Sequence, residues 1–482
     1  MSKNLYEEIT TGKAARPRKK WTPFRVLRWL LLVYVLYFAI GALAPFAVQP
    51  EVSAAYQAAF DPAAFTGAGS TDRAALVLDN QDALDLRLQM IAGAKDSILL
   101  SSFDIRDCES GRDVFAALLA ASERGVDVQI LWDGMSGMLH GSAPVFRALG
   151  SRDNVEIRFY NEPNFLLPWT FNGRMHDKYL IVDHRLMVLG GRNTFDLFLG
   201  DYVSDDDKSH DNDVLVYNTA ATLDHSVIGQ VEDYFGEVWN QAETRPVLDS
   251  VPFWANGSNA DAVAVLRARP SYALQPQPID YAALTVAVDR ITLLHNPTNI
   301  LAKEPTLWWQ LQQLMEAAED TVYLQTPYAV LNGPMYDGLA RVSAPVEIQL
   351  NSVAVGDNFV ASSDYLTNKP RLLDTGVTVW EWFGDYSSHG KAALIDDLAI
   401  VGSYNWDLRS TYLDTELMLV VDGDAFHDQL ERHLQQMESQ CLKAAPGGYL
   451  PRDGVEQVPY QDPKSFLYPV TRWLTQPFRF LI

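Results

Sequence analysis

Two stretches of the chain hold residue types at spacings that could do acid–base and nucleophilic chemistry. Arg174 to Asn193 reads RMHDKYLIVDHRLMVLGGRN, and Ser388 to Asn405 reads SHGKAALIDDLAIVGSYN. In a β-strand, residues two apart face one side, so His176 projects with Lys178, and His389 with Lys391. Asp183 and Asp396 follow their histidines at an odd offset, fall on the opposite face and are expected to tie down the turn that comes next. Gly190, Gly191, Gly402 and Ser403 permit close backbone approach. Asn193 and Asn405 end the two stretches with amide donors. A lone surface histidine is more often structural than catalytic, but a constellation that occurs twice with the same continuation overturns that expectation.

Brought together, the two stretches offer two imidazoles, two ammonium groups and two amides, a set suited to a phosphodiester. Lysine and asparagine donors would neutralise the nonbridging oxygens where charge gathers in the transition state. One neutral histidine can attack phosphorus while a second, protonated histidine gives its proton to the departing alcohol. Histidine titrates near neutrality, so both forms can coexist in one site. This chemistry requires no metal and no other cofactor. A metal site from His176, His210, Asp211 and Asp213 is conceivable on composition, but the motif's lysine disfavours it. Each imidazole also needs an acceptor to fix its tautomer. Asp211 in SHDNDVLVY and Glu416 in YLDTELMLVV are the candidates, with Asp213 a close alternative to Asp211.

The elements that must carry these residues repeat along the chain. ALDLRLQMIAGAKDSILLSSF (83–103) has helical spacing followed by a short strand, and LWWQLQQLMEAAEDTVYLQTPY (307–328) has the same grammar. GVDVQILWDG (125–134) answers to APVEIQLNSV (344–353), and NVEIRFYNEP (154–163) to GVTVWEWFGD (376–385). With the two histidine stretches that follow them, these make four pairs in one order and predict two homologous α/β halves, residues 71–245 and 290–440, each a mixed sheet flanked by helices, sharing one central active site. Residues 246–289 read as a long surface connection.

At these residues the sequence resembles the phospholipase D superfamily, whose signature H-x-K-x-x-x-x-D occurs twice and adds Asp183 and Asp396 to the candidate catalytic set. Within it, RMHDKYLIVD with GGRN, SSHGKAALIDD with GSYNWDLRS, and LNSVAVGDNFVASSDY ahead of the second motif are most similar to bacterial cardiolipin synthases and related phosphatidyltransferases. The resemblance implies His176 as nucleophile, His389 as general acid and base, and Lys178, Lys391, Asn193 and Asn405 as phosphate ligands. It also implies that each carboxylate serves the opposite half, Glu416 orienting His176 and Asp211 orienting His389. The implied substrates are phospholipids, phosphatidylglycerol first and phosphatidylethanolamine second. The stretch TFDLFLGDYVSDDDKSHD is longer and more acidic than the family leads one to expect.

Size, charge and the ends of the chain bound the rest. At 482 residues the chain can bury a large core, and Cys108 and Cys441 alone cannot build a zinc ribbon or a disulfide framework. Trp29 to Val48 is an uncharged apolar run of about 20 residues, enough to cross a bilayer as a helix. Lys13, Arg16, Arg18, Lys19, Lys20, Arg25 and Arg28 precede it and predict a cytoplasmic amino terminus with the catalytic body outside. Ala42-Leu43-Ala44 resembles a signal-peptide cleavage site, but Pro45 and the length of the run favour an uncleaved anchor. Residues 49–70 read as a tether, and the tail FLYPVTRWLTQPFRFLI as either an interfacial segment or a short strand or helix packed on the domain. The chain has net charge −23, with its basic residues crowded before the apolar run. That acidity argues against a nucleic-acid partner. The rival readings are a hydrolytic phospholipase D, an exported nuclease and a noncatalytic lipid-binding protein. Survival of both His/Lys pairs counts against the last.

Overall fold

The computed structural model describes residues 22–247, 256–459 and 464–482. Lys13, Arg16, Arg18, Lys19 and Lys20 of the basic segment lie outside them.

Two nine-stranded sheets dominate the molecule. The first runs, edge to edge, Val286–Ala287, Asp72–Val77, Asp213–Asn218, Leu186–Gly190, Lys178–Val182, Ser97–Ser102, Asp127–Asp133, Val155–Tyr160 and Thr244–Pro246. The second runs Arg290–His295, Leu417–Asp422, Leu398–Gly402, Ala392–Ile395, Val322–Gln325, Val346–Asn351, Thr378–Trp382, Cys441–Ala445 and Gly448–Leu450. Eight strands of each sheet correspond one to one in the same spatial order. In both, the three strands that alternate with helices pair in parallel and the others antiparallel. Helices follow where the sequence stops a strand and supplies a cap. Asp79 accepts from the N–H groups of Gln81 and Asp82 to start Asn80–Gly93, and Asp133 accepts from Met135 and Ser136 to start Gly134–His140.

The halves meet face to face. One core joins Met187, Leu189 and Val214 of the first sheet to Leu394, Val401 and Leu419 of the second. The helices Val227–Trp239 and Asp424–Glu438 close it with Val231, Phe235, Phe426 and Leu430. Two short backbone pairings then cross between the halves. Ser209–His210 runs parallel to Ser387–Ser388, and Met175 bridges Thr415.

Four segments differ from the sequence expectation. The apolar helix spans Pro23–Leu43 rather than Trp29 to Val48, because Thr22 caps it ahead of Trp29 and Pro45 stops it short of Val48; a 3-10 turn, Ala44–Phe46, finishes it. Residues 49–70 are not a free tether. Phe46 and Phe65 enter the second half's core beside Leu307 and Trp308, and the Ser53 N–H donates to Glu304 at 3.0 Å. In the connection, the helix Asn256–Arg267 buries Ala262 and Leu266 in the first half's core. The carboxyl-terminal segment begins as two strands of the second sheet, Cys441–Ala445 and Gly448–Leu450, which adds residues beyond 440 to that unit. Its helix Lys464–Thr475 stacks Tyr468 on Phe359 at 4.4 Å and leaves Val470, Trp473 and Leu474 exposed.

Candidate active site

His176 stands two residues ahead of the strand Lys178–Val182 and His389 three ahead of Ala392–Ile395, rather than within them. The backbone there has left its own sheet to pair with the other half: the His176 N–H donates to the Thr415 carbonyl at 3.3 Å, and the His389 N–H to the His210 carbonyl at 2.7 Å. Each crossing brings a histidine to the residue next in line on the opposite half. His176 Nδ1 lies 2.8 Å from Glu416 Oε1, and His389 Nδ1 lies 2.6 Å from Asp211 Oδ2. With Nδ1 occupied, Nε2 of His176 is left to face a substrate, and Nε2 of His389 has Lys391 Nζ 3.3 Å away beside the same pocket. Both imidazoles keep 12% of their side-chain surface open, whereas Glu416 and Asp211 keep none. The carboxylates therefore act through the rings.

Lys178 and Lys391 are sealed beside them. Each ammonium donates to the backbone carbonyl of its own motif's histidine, and Lys391 Nζ also lies 3.3 Å from Asp211 Oδ2. Asn193 accepts from the Asp104 N–H at 3.3 Å through its side-chain oxygen, which leaves its NH2 group for a ligand. The Asn405 side-chain oxygen is buried without a protein partner among the described residues. A buried acceptor so placed needs a donor from solvent or a ligand to be satisfied.

The two carboxyl groups differ in kind. Burial raises Glu416 well above the usual carboxyl range, and Lys178 with the hydroxyls of Ser403 and Ser410 only partly opposes it. Burial also works against Asp211, but Lys391 and His389 outweigh it and leave Asp211 below its ordinary value. His389 thus faces a firmly ionised carboxylate, and His176 does not. Burial lowers His176 well below 6.5, and Lys178, Lys391 and His389 push it the same way. The charges of one motif reach the imidazole of the other, so both belong to one electrostatic environment. Burial and Lys391 also lower His389, against the pull of Asp211. Burial brings Lys178 down to about 7.

Asp183 and Asp396 do not join this group. Each sits at positive φ in the turn after its strand, a conformation aspartate tolerates better than most residues. Asp183 accepts from the N–H groups of Lys95, Asp96 and Ser97, and Asp396 from those of Glu319, Asp320 and Thr321. At about 3.3 Å per residue, the strand carries these carboxylates some 16 Å beyond the lysines. Assigning them to the catalytic set is therefore corrected: they clamp the far end of the strand. Asp213 is held by Arg87 at 2.8 Å and Arg192 at 3.2 Å, which separates its task from that of Asp211. His210 packs on Tyr386 at 3.9 Å, so the four residues weighed for a metal go to four different partners.

Sequence reasoning missed the aromatic walls. Phe103 meets His176 edge-on at 5.1 Å, and Phe198 meets His389 at 5.0 Å. Phe198 comes from the long acidic stretch, whose Asp196 accepts from the Ser110 N–H at the start of the helix Glu109–Glu123. Ser403 and Ser410, the hydroxyls on Glu416, were equally unmarked, although Ser403 occupies the place Gly191 holds in the first motif.

Comparison with known proteins agrees with this arrangement. The family described as "Cardiolipin synthase, PLD-like domain" matches residues 88–239 and 311–438, more than half of the chain and one segment in each half. Cardiolipin synthase C of Escherichia coli (strain K12) is 25% identical over 406 residues, covering 74% of this chain and 83% of that one. A cardiolipin synthase of Staphylococcus aureus (strain Mu50) is 25% identical over 372 residues, covering 74% of this chain and 65% of that one. Among solved structures, the phosphatidylserine synthase of Haemophilus influenzae Rd KW20 superposes with a TM-score of 0.60 at 13% identity, over 87% of this chain and 97% of that one, a likeness of fold. With two matching segments and two motif-bearing halves, the chain belongs to the family of cardiolipin synthase domains of the phospholipase D type.

Proposed function

We propose that the protein is a membrane-anchored phosphatidyltransferase that moves a phosphatidyl group from phosphatidylglycerol, or from phosphatidylethanolamine, to the headgroup hydroxyl of a second phospholipid. The observation that carries this reading is the reciprocal pairing of His176 with Glu416 and of His389 with Asp211. Neutral His176 attacks phosphorus through Nε2; a P–N bond forms and the bond to the leaving alcohol breaks. Protonated His389, favoured by ionised Asp211, gives its proton to the departing oxygen. An acceptor hydroxyl then yields its proton to His389 and attacks phosphorus, and the P–N bond breaks to restore His176. Lys178, Lys391, Asn193 and Asn405 hold the nonbridging oxygens throughout. The names of the relatives support phospholipid substrates. The helix Pro23–Leu43, long and apolar with none of its residues buried, supports the anchor, with the amino terminus cytoplasmic and the catalytic body on the other side.

Hydrolysis is the second reading, since the same pocket would serve water as acceptor. Incubating the purified protein with phosphatidylglycerol vesicles separates the two: cardiolipin with glycerol indicates transfer, and phosphatidic acid indicates hydrolysis. Formation of neither product would refute the phosphatidyl chemistry altogether.

A further inference from the structure

The segment Asn164–Phe171, reading NFLLPWTF, carries apolar side chains into the open: Phe165 is 60% exposed and Leu166 73%. Its position is set by the apolar helix. Tyr34 donates its hydroxyl proton to the Phe165 carbonyl at 2.9 Å, and Tyr37 to the Leu166 carbonyl at 2.6 Å. Phe38 packs on Phe165 and Phe171, and further along the helix the Asn172 side-chain amide donates to the Ala42 carbonyl at 2.8 Å. The segment thus lies along the helix from Tyr34 to Ala42, about 12 Å at 1.5 Å per residue. Tyr34 is near the middle of the helix Pro23–Leu43.

The backbone of the tip is almost self-sufficient. The Leu166 N–H donates to the Asn164 side chain and the Leu167 N–H to the Asn164 carbonyl, both at 2.8 Å. The Leu167 carbonyl accepts from the N–H and the hydroxyl of Thr170. Pro168 has no N–H to satisfy. All three carbonyls from Phe165 to Leu167 are therefore paired, two of them by the helix. In water such pairing is optional, because water would serve; within hydrocarbon, irregular backbone persists only where protein groups satisfy it. Apolar side chains facing outward over a backbone with its polar groups turned inward are the arrangement that a lipid surroundings selects.

We propose that Phe165, Leu166 and Leu167 form a re-entrant tip lodged among the acyl chains of the leaflet next to the catalytic body, alongside the spanning helix. This rests on the reading that the helix crosses the bilayer. The returning strand of the loop passes Asn172 and Gly173, whose carbonyls accept from Asn161, and reaches His176 three residues later. The segment carrying His176 is thereby fastened to the lipid surface at a fixed height, with its partner the hydrocarbon of the bilayer.

The test uses the full chain in phospholipid vesicles, with Cys108→Ser as background and a nitroxide label on Leu166→Cys, Val35→Cys or Asp206→Cys. Val35 lies mid-helix and Asp206 on an exposed acidic loop. Collision with oxygen, which partitions into hydrocarbon, is compared with collision with a water-soluble nickel chelate. The proposal expects oxygen to dominate at 166 as at 35, and the chelate to dominate at 206. A chelate-dominated signal at 166 with an oxygen-dominated one at 35 overturns the tip's insertion and leaves the spanning helix intact. A chelate-dominated signal at 35 overturns the spanning reading and the proposal with it. Phe165→Cys repeats the measurement should the label at 166 disturb folding.

Discussion

Gly191→Ala gives a sharp test of the way the carboxylate and histidine are joined across the halves. A Cβ at Gly191 would lie 2.2 Å from Asp211 Oδ1, 2.3 Å from Oδ2 and 2.5 Å from Cγ. Ordinary contact begins near 3.4 Å, so the carboxylate or the chain behind it must yield by about 1 Å. His389 Nδ1 now sits 2.6 Å from Asp211 Oδ2, and a displacement of that size takes the pair beyond hydrogen-bond range. Misplacement by about 1 Å costs on the order of 10²-fold in rate, equivalent to about 2.7 kcal/mol at 1.36 kcal/mol per tenfold. Overpacking should also cost about 1–3 kcal/mol of stability, so thermal unfolding is followed alongside cardiolipin formation from phosphatidylglycerol. Ser403→Ala, at the matching point of the second motif, removes a hydroxyl from Glu416 without crowding it and should lose less. A folded Gly191→Ala protein with activity within about twofold of the parent would refute the reasoning, because the pairing would then be dispensable.

Three other outcomes follow from the same geometry. His389→Ala should abolish turnover of natural phospholipids yet retain attack on a substrate whose leaving group needs no proton, such as a nitrophenyl ester, whereas His176→Ala should fail on both; equal failure or equal survival would undo the division of roles. Asp211→Asn removes the anion that opposes burial and Lys391 at His389, so the imidazolium should lose its proton at lower pH; the alkaline limb of kcat/KM against pH should shift downward, and an upward shift or none counts against the assignment. Burial works against Asp396, yet the N–H groups of Glu319, Thr321 and Asp320 hold it below 3.8. A carboxyl so depressed adds stability above its unfolded value that disappears as pH falls through the folded one, so Asp396→Asn should flatten the acid dependence of the unfolding temperature below roughly pH 5.

The repeat was legible because it is written in strand patterns: Val128, Ile130 and Trp132 answer to Val346, Ile348 and Leu350 at the same two-residue spacing on corresponding strands. Even the sheet order follows once the four segment pairs are matched. What the motif's spacing concealed was where the strands begin. Parity arguments treat His176 and Lys178 as strand neighbours, but the chain reaches Lys178 only after Met175 has paired with Thr415 of the other half. No local pattern announces a pairing that spans 240 residues. The same limit hid Phe198 and Ser410, which are ordinary residues until the fold sets them against a histidine or a carboxylate. The apolar helix was legible as a helix, but its ends depended on Thr22 and Pro45, and its contact with Phe165 and Leu166 is a tertiary matter. The motif's spelling places Asp183 beside the catalytic residues in the alphabet, while the strand takes it to the other end in space, to the turn that its odd offset points to.

Since neither half holds both a histidine and the acceptor that aims it, chemical competence is a property of the seam. Any force that pries the two sheets apart silences both imidazoles together rather than leaving one working at half strength. Nor can either repeat drift alone: a change that moves Thr415 or His210 is felt first by the ring on the far side. The two repeats are thus not interchangeable: each supplies the part that the other lacks.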